Sequence, residues 1–167
     1  MNRYVEMEAI RRNMRKEIFL FILSMSPIGE LRASIPFGIL NDIPIYIVVP
    51  LSIAGNLVPV LFLLLLLPLI SKIILKIPYI GSLYSKWLLY LERRHKRKFY
   101  KYGVFALIPF VAVPLPITGA WTGCFLSWIF GIPFKKAFPL IACGVVIASG
   151  VVTVLTLLGV ELKTHFP

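Results

Sequence analysis

The sequence predicts an all-α integral membrane protein. It is built as an inverted repeat, each half a re-entrant helical hairpin followed by one spanning helix, with peripheral amphipathic helices. Three observations predict this. Of the 167 residues, 59% are hydrophobic and only 15% are charged, against about a quarter charged in a soluble domain. The charges gather in the first 17 residues and in Lys72 to Lys101, leaving the rest almost purely apolar with Gly and Pro. The chain also matches itself without gaps at a shift of 89 positions. That shift aligns Pro27-Ile28 with Pro116-Ile117, Ile43-Pro44 with Ile132-Pro133, Pro50-Leu51 with Pro139-Leu140, and Gly55 with Gly144. Paired apolar segments interrupted by Gly and Pro are the mark of a transporter repeat.

Taken in order, residues 1–17 carry Tyr4, Met7, Ile10 and Met14 at helical spacing, which suggests an amphipathic helix on the membrane surface. Ile18–Met25 and Leu31–Leu40 follow as short apolar limbs around SPIGE. Each limb makes only about 12 to 15 Å of helix, too short for a hydrocarbon core of about 30 Å. Ile43–Ile70 is long enough to cross, and Asn41-Asp42 before it reads as its N-cap. Repeat 1 therefore covers about 18–70 and a basic linker about 71–101. Within the linker Leu83, Trp87, Tyr90, Leu91 and Arg94 suggest a surface helix ending in RRHKRK. Repeat 2, about 102–160, has limbs at Val104–Val113 and Cys124–Phe130 around PLPITGAWTG, then a span at Pro133–Leu158.

A hairpin that leaves by the face it entered gives each repeat an odd number of crossings, so the second repeat is inverted relative to the first. The hairpin tips then face each other, since broken backbone at that depth needs protein or a water-filled cavity around it. Pro27, Gly29, Pro114, Pro116, Gly119 and Gly123 are the expected breaks. The rival topology has four spanning helices, with Met25 and Leu40 in one broken helix and Val113 and Phe130 in another. It suits the positive-inside rule better.

The net charge of +11 is assigned to anionic lipid headgroups beside the spans, with no nucleic-acid partner, because no RNA-binding pattern accompanies it. Cys124 and Cys143 lie in apolar stretches, and neither His95 nor His165 has ligand spacing, so no disulfide, metal or cofactor is expected. No nucleophile–base set suggests an enzyme. No cleavable signal peptide is expected, because the first apolar run starts only at Ile18. A homo-oligomer is compatible with the sequence.

SPIGELRASIP raises the question of function, because it places Glu30 and Arg32 in an apolar setting. An ionised side chain at mid-depth costs at least about 2.5 to 3.5 kcal/mol and marks a transport site by default. The structural alternative is an ion pair that locks the hairpin tip. Asp42 lies one short limb away, near the interface, and reads either as a cap or as part of the site. Asn56 either bonds the broken backbone or packs helices. Thr118, Trp121 and Thr122 offer two hydroxyls and an indole that contact ligand or satisfy freed carbonyls; Gly119 and Gly123 form a G-x-x-x-G pair.

GELRASIPFGI, the Gly55-Asn56 pair and PLPITGAWTG together resemble the small multidrug export protein family, related to the wider DedA superfamily. The resemblance runs from about Pro27 to the second span. It implies two facing re-entrant hairpins and lipid transport across the bilayer, of polyprenyl-phosphate carriers or phospholipids. It also implies an acidic pair at the spacing of Glu30 and Asp42. The chain departs from DedA-type members in having no arginine between Phe105 and Phe130, so phosphate binding there is not supported. The first expectation is therefore a lipid translocase or scramblase, in which Arg32 attracts phosphate and Glu30 loads a proton or gates the site. The alternatives are a proton-coupled exporter of small drug-like compounds, and a non-transporting scaffold acting through its basic helix. The expected location is the plasma membrane of a prokaryote.

Overall fold

The computed structural model describes residues 2–74, 104–114 and 118–165. The expected basic helix over Leu83–Lys101 and the breaker Pro116 lie outside the described residues. Within them the elements are all helical: α1 (Asn2–Met25), α2 (Glu30–Leu40), α3 (Ile45–Ile74), α4 (Leu107–Ala112), α5 (Ala120–Ile129) and α6 (Phe134–His165).

α1 corrects the expected boundary near residue 17. It is one helix of 24 residues, roughly 36 Å long, joining the polar segment to the first apolar limb. Nothing between Asn2 and Met25 breaks a helix. The stretch has neither Gly nor Pro, and its Glu, Met, Arg and Lys residues are good helix formers. A change from polar to apolar surface does not interrupt the backbone ladder. Pro27 ends it, having no N–H to continue the pattern.

The chain divides into two compact units, Met1–Pro59 with Val145–Pro167, and Val60–Gly144. In the first unit α2 folds back along α1. Phe19 and Phe37 meet with ring centroids 4.9 Å apart, and the Lys16 ammonium donates to the Asn41 carbonyl at 3.0 Å. The ammonium thereby serves a carbonyl at the C-terminal end of α2. α1 and α2 are therefore the two arms of a hairpin and not halves of one broken helix. In the second unit α5 folds back on α4, and a Cβ placed on Gly123 would lie 2.9 Å from the Val111 side chain.

Both hairpins end in the same turn, again at the 89-residue offset. After α2, Ile43 N–H bonds Gly38 O at 3.0 Å and Asp42 N–H bonds Ile39 O at 3.2 Å. After α5, Ile132 N–H bonds Ser127 O at 2.8 Å and Gly131 N–H bonds Trp128 O at 3.1 Å. This paired 6→1 and 5→2 pattern is the Schellman motif. Its left-handed residue is Asp42 (φ 61°) in one hairpin and Gly131 (φ 64°) in the other. Asn41-Asp42 thus closes the preceding helix instead of opening the next one as expected. The Asn41 amide reinforces the stop by donating to Phe37 O at 2.9 Å.

Each long helix then packs on the first arm of its own hairpin through a glycine. A Cβ on Gly55 would strike Ser24 Oγ and lie 2.8 Å from Phe21 O. One on Gly144 would lie 2.7 Å from Val111 Cβ and 3.0 Å from Ile108 O. Only a glycine lets the backbones approach so closely. α3 and α6 contain apolar stretches, Ile45–Ile70 and Phe134–Leu162, long enough to cross a membrane. Phe62, Leu65, Leu66 and Leu69 on α3, and Val151, Val154, Leu155 and Leu158 on α6, are exposed. Ser24, Ser34, Ser52, Asn56, Ser127 and Ser149 are buried. Polar groups inside and apolar groups outside is the arrangement that lipid selects.

Candidate functional site

The first hairpin turns in four residues, Ser26 to Gly29. Ser26 organises it. Its hydroxyl donates to Leu23 O at 2.8 Å and accepts from Gly29 N–H at 2.9 Å. One side chain therefore serves the last turn of α1 and the first of α2. The sequence reading passed over Ser26; a serine directly before proline is the signal that marks such a turn.

Glu30 opens α2 immediately after this turn. It combines two unusual properties. The residue is only 8% exposed, and its φ is +45°, a left-handed value. Among the described residues Glu30 and Asp42 are the non-glycine positions with positive φ. Asp tolerates that region through its short polar side chain. Glu has no such help, so Glu30 carries local strain of the kind that gathers at functional sites. Arg32 follows two residues later, half-buried.

The expected site residues fall into separate places. Glu30 and Asp42 stand at opposite ends of α2, an 11-residue helix of roughly 16 Å. Glu30 is buried, whereas Asp42 is exposed in the closing turn. Asn56 lies on α3, next to the close-approach glycine Gly55, and is 1% exposed. Neither its amide oxygen nor its amide nitrogen has a hydrogen-bond partner. Ser34 on α2 and Ser52 on α3 are both 0% exposed, and their hydroxyls are likewise unpaired. Both serines escaped the sequence reading, since a serine in an apolar helix is ordinarily a packing residue.

The second hairpin is chemically quieter. Thr118 Oγ1 donates to Val113 O at 2.6 Å, closing the loop around Pro114. Thr122 Oγ1 donates to Gly119 O at 3.2 Å, and Ser127 Oγ to Gly123 O at 2.7 Å. The Thr122 and Ser127 hydroxyls bond back to carbonyls of the preceding turn, and Gly119 O also accepts the Gly123 N–H at 2.9 Å. Trp121 is half-buried on the first turn of α5. Gly123 of the G-x-x-x-G pair acts within the hairpin, where it receives Val111. Cys124 is buried with its Sγ 3.9 Å from Val60 O, and Cys143 is exposed. No group of three His, Cys, Asp or Glu residues that could hold a metal occurs among the described residues.

A family model described as "Putative small multi-drug export protein" matches residues 30–151. The chain belongs to this family. The matched region begins at Glu30 and takes in α2, α3, both arms of the second hairpin and the first half of α6. Membership agrees with the two apolar spans in marking a membrane protein. Searches of curated proteins and of solved structures return no match to the chain.

Proposed function

We propose that this protein exports small amphipathic cations across the membrane, with Glu30 as the group that proton and substrate share. The observation that carries the reading is the burial of Glu30 at the first hairpin turn, in a left-handed backbone conformation. A carboxylate kept from water binds either a proton or an organic cation, and one group cannot hold both at once. Alternate occupancy couples outward movement of substrate to inward movement of protons. The family description, an export protein, favours this reading over lipid scrambling. In the same proposal both hairpins are re-entrant, each dipping into the bilayer and returning, and the repeats are inverted.

Proteoliposomes with an imposed pH gradient test the proposal, with ethidium as the probe. Transport should exceed that of protein-free vesicles and should collapse when the gradient is dissipated. Equal rates with and without protein reject it. Accessibility of single cysteines at positions 10 and 90, in a background lacking Cys124 and Cys143, tests the topology. Labelling of both from one side rejects the re-entrant hairpins.

Arg32 supports a second reading, translocation of an anionic lipid. A half-buried guanidinium two residues from Glu30 offers a fork for a phosphate headgroup. This reading goes with the DedA resemblance. Flipping of labelled phospholipid or polyprenyl phosphate in the same vesicles, lost in Arg32→Ala, supports it. Unchanged flipping rates without protein remove it.

A further inference from the structure

Ser34, Ser52 and Asn56 are buried at 0%, 0% and 1% exposure. Ser34 Oγ, Ser52 Oγ and both amide atoms of Asn56 have no hydrogen-bond partner. A buried hydroxyl or amide left unpaired costs about 1 to 3 kcal/mol. Three such side chains on two adjoining helices call for an explanation other than packing.

Their register can be read from the contacts around them. α2 turns into α3 through the tight motif at Asn41–Ile43, and a Cβ on Gly38 would lie 2.6 Å from the Val48 side chain. One helical turn back along α2 from Gly38 is Ser34. One turn on along α3 from Val48 is Ser52. A further turn in each direction gives Glu30 and Asn56. The second repeat supports this pairing. The positions 89 residues after Ser34 and Ser52 are Gly123 and Ile141, and a Cβ on Gly123 would lie 3.5 Å from Ile141 Cγ1. Asn56 corresponds to Val145, and Glu30 to Gly119. The same scaffold positions are therefore filled by Gly, Ile, Val and Gly in one repeat, and by Ser, Ser, Asn and Glu in the other. The scaffold does not need polar groups there; the first repeat has them for another purpose.

We propose that Ser34, Ser52 and Asn56 bind a sodium ion between α2 and α3. Two hydroxyl oxygens and an amide oxygen are hard neutral donors, which suit a hard cation and not a transition metal. Neutral donors do not compensate two buried charges, which selects a monovalent ion over a divalent one. Glu30 stands one turn before Ser34 on the same stripe of α2. Full burial of all three side chains gives a drug-like molecule no access to them. Sodium binding beside Glu30 adds an ion to the transport cycle, and it stands independently of the export assay.

The test is thermal unfolding of the purified full chain in detergent, titrated with NaCl, KCl or choline chloride at constant ionic strength. The unfolding midpoint should rise with sodium and saturate, with little response to potassium or choline. Ser52→Ala and Asn56→Ala should each lower the apparent sodium affinity, and together they should abolish the sodium-dependent rise. Should Asn56→Ala not fold, Ser34→Ala with Ser52→Ala replaces it. A midpoint that responds equally to all three salts, or a full sodium response in the double variant, overturns the proposal. Because the readout is unfolding, a failure of ethidium export leaves this result separately interpretable.

Discussion

The two hairpins share a scaffold and differ in what they carry. Both reverse the chain at a proline-containing break, both close with a Schellman turn, and both receive a glycine of the following long helix against their first arm. The second hairpin uses its hydroxyls on its own backbone carbonyls. The first places a carboxylate at its turn, and Ser34 on α2 with Ser52 and Asn56 on the following α3 remain unpaired. Hydrogen bonds to backbone make a stable corner. Unspent polarity in the same corner is costly, and a fold keeps it where something else will occupy it.

Glu30→Gln is the sharpest way to break the contrast. It keeps the size of the side chain but replaces one carboxylate oxygen with an NH2 donor and removes its ability to exchange a proton. Gradient-driven ethidium transport should fall to the protein-free rate, while the unfolding midpoint changes little.

Gly55→Ala and Gly144→Ala probe what the hairpins have in common. Each adds a Cβ within 3.0 Å of a backbone carbonyl oxygen or a β-carbon. Overpacking of this kind should destabilise by about 1 to 3 kcal/mol. Loss in only one variant would show that the two long helices do not pack equivalently on their hairpins. Chemical denaturation in mixed micelles provides the measurement.

Ser34→Ala combined with Asn56→Val makes the first repeat resemble the second. It removes unpaired buried groups, so the midpoint in sodium-free buffer should stay constant or rise, by up to about 1 to 3 kcal/mol per group. A large loss of stability there would mean that these side chains hold the fold together.

The smallest effect belongs to the closing turns. Gly131→Ala places a Cβ in open space at φ 64°, so only the left-handed backbone is penalised, by about 1 kcal/mol. Asp42→Gly should stabilise by a smaller amount, since Asp already tolerates that conformation.

Much of this scaffold was legible in the sequence. Apolar length alone marks both long helices, and Pro27 marks the end of α1, because proline acts locally on the backbone. The end of α2 was misread because Asn and Asp serve both helix starts and left-handed stops; only the bonds of Asp42 and Ile43 distinguish them. The expected boundary near residue 17 follows a change of composition that the backbone of α1 does not share. Ser34 and Ser52 were invisible singly, since burial without a partner is a property of packing between helices. Set against Gly123 and Ile141 at the same offset, they stand out as polar residues where the matching positions are not. The spacing of one limb sets Asp42 apart from Glu30, and the 11 residues of α2 agree with that separation.

The bond from Lys16 to the Asn41 carbonyl joins the middle of α1 to the far tip of α2, and Leu20 fills the surface of Gly38 between them. Fastened near both extremities, the pair cannot splay. In the proposed export cycle, a stroke that uncovers Glu30 would swing the hairpin as a stiff lever, and Lys16→Ala would loosen that lever without touching the carboxylate.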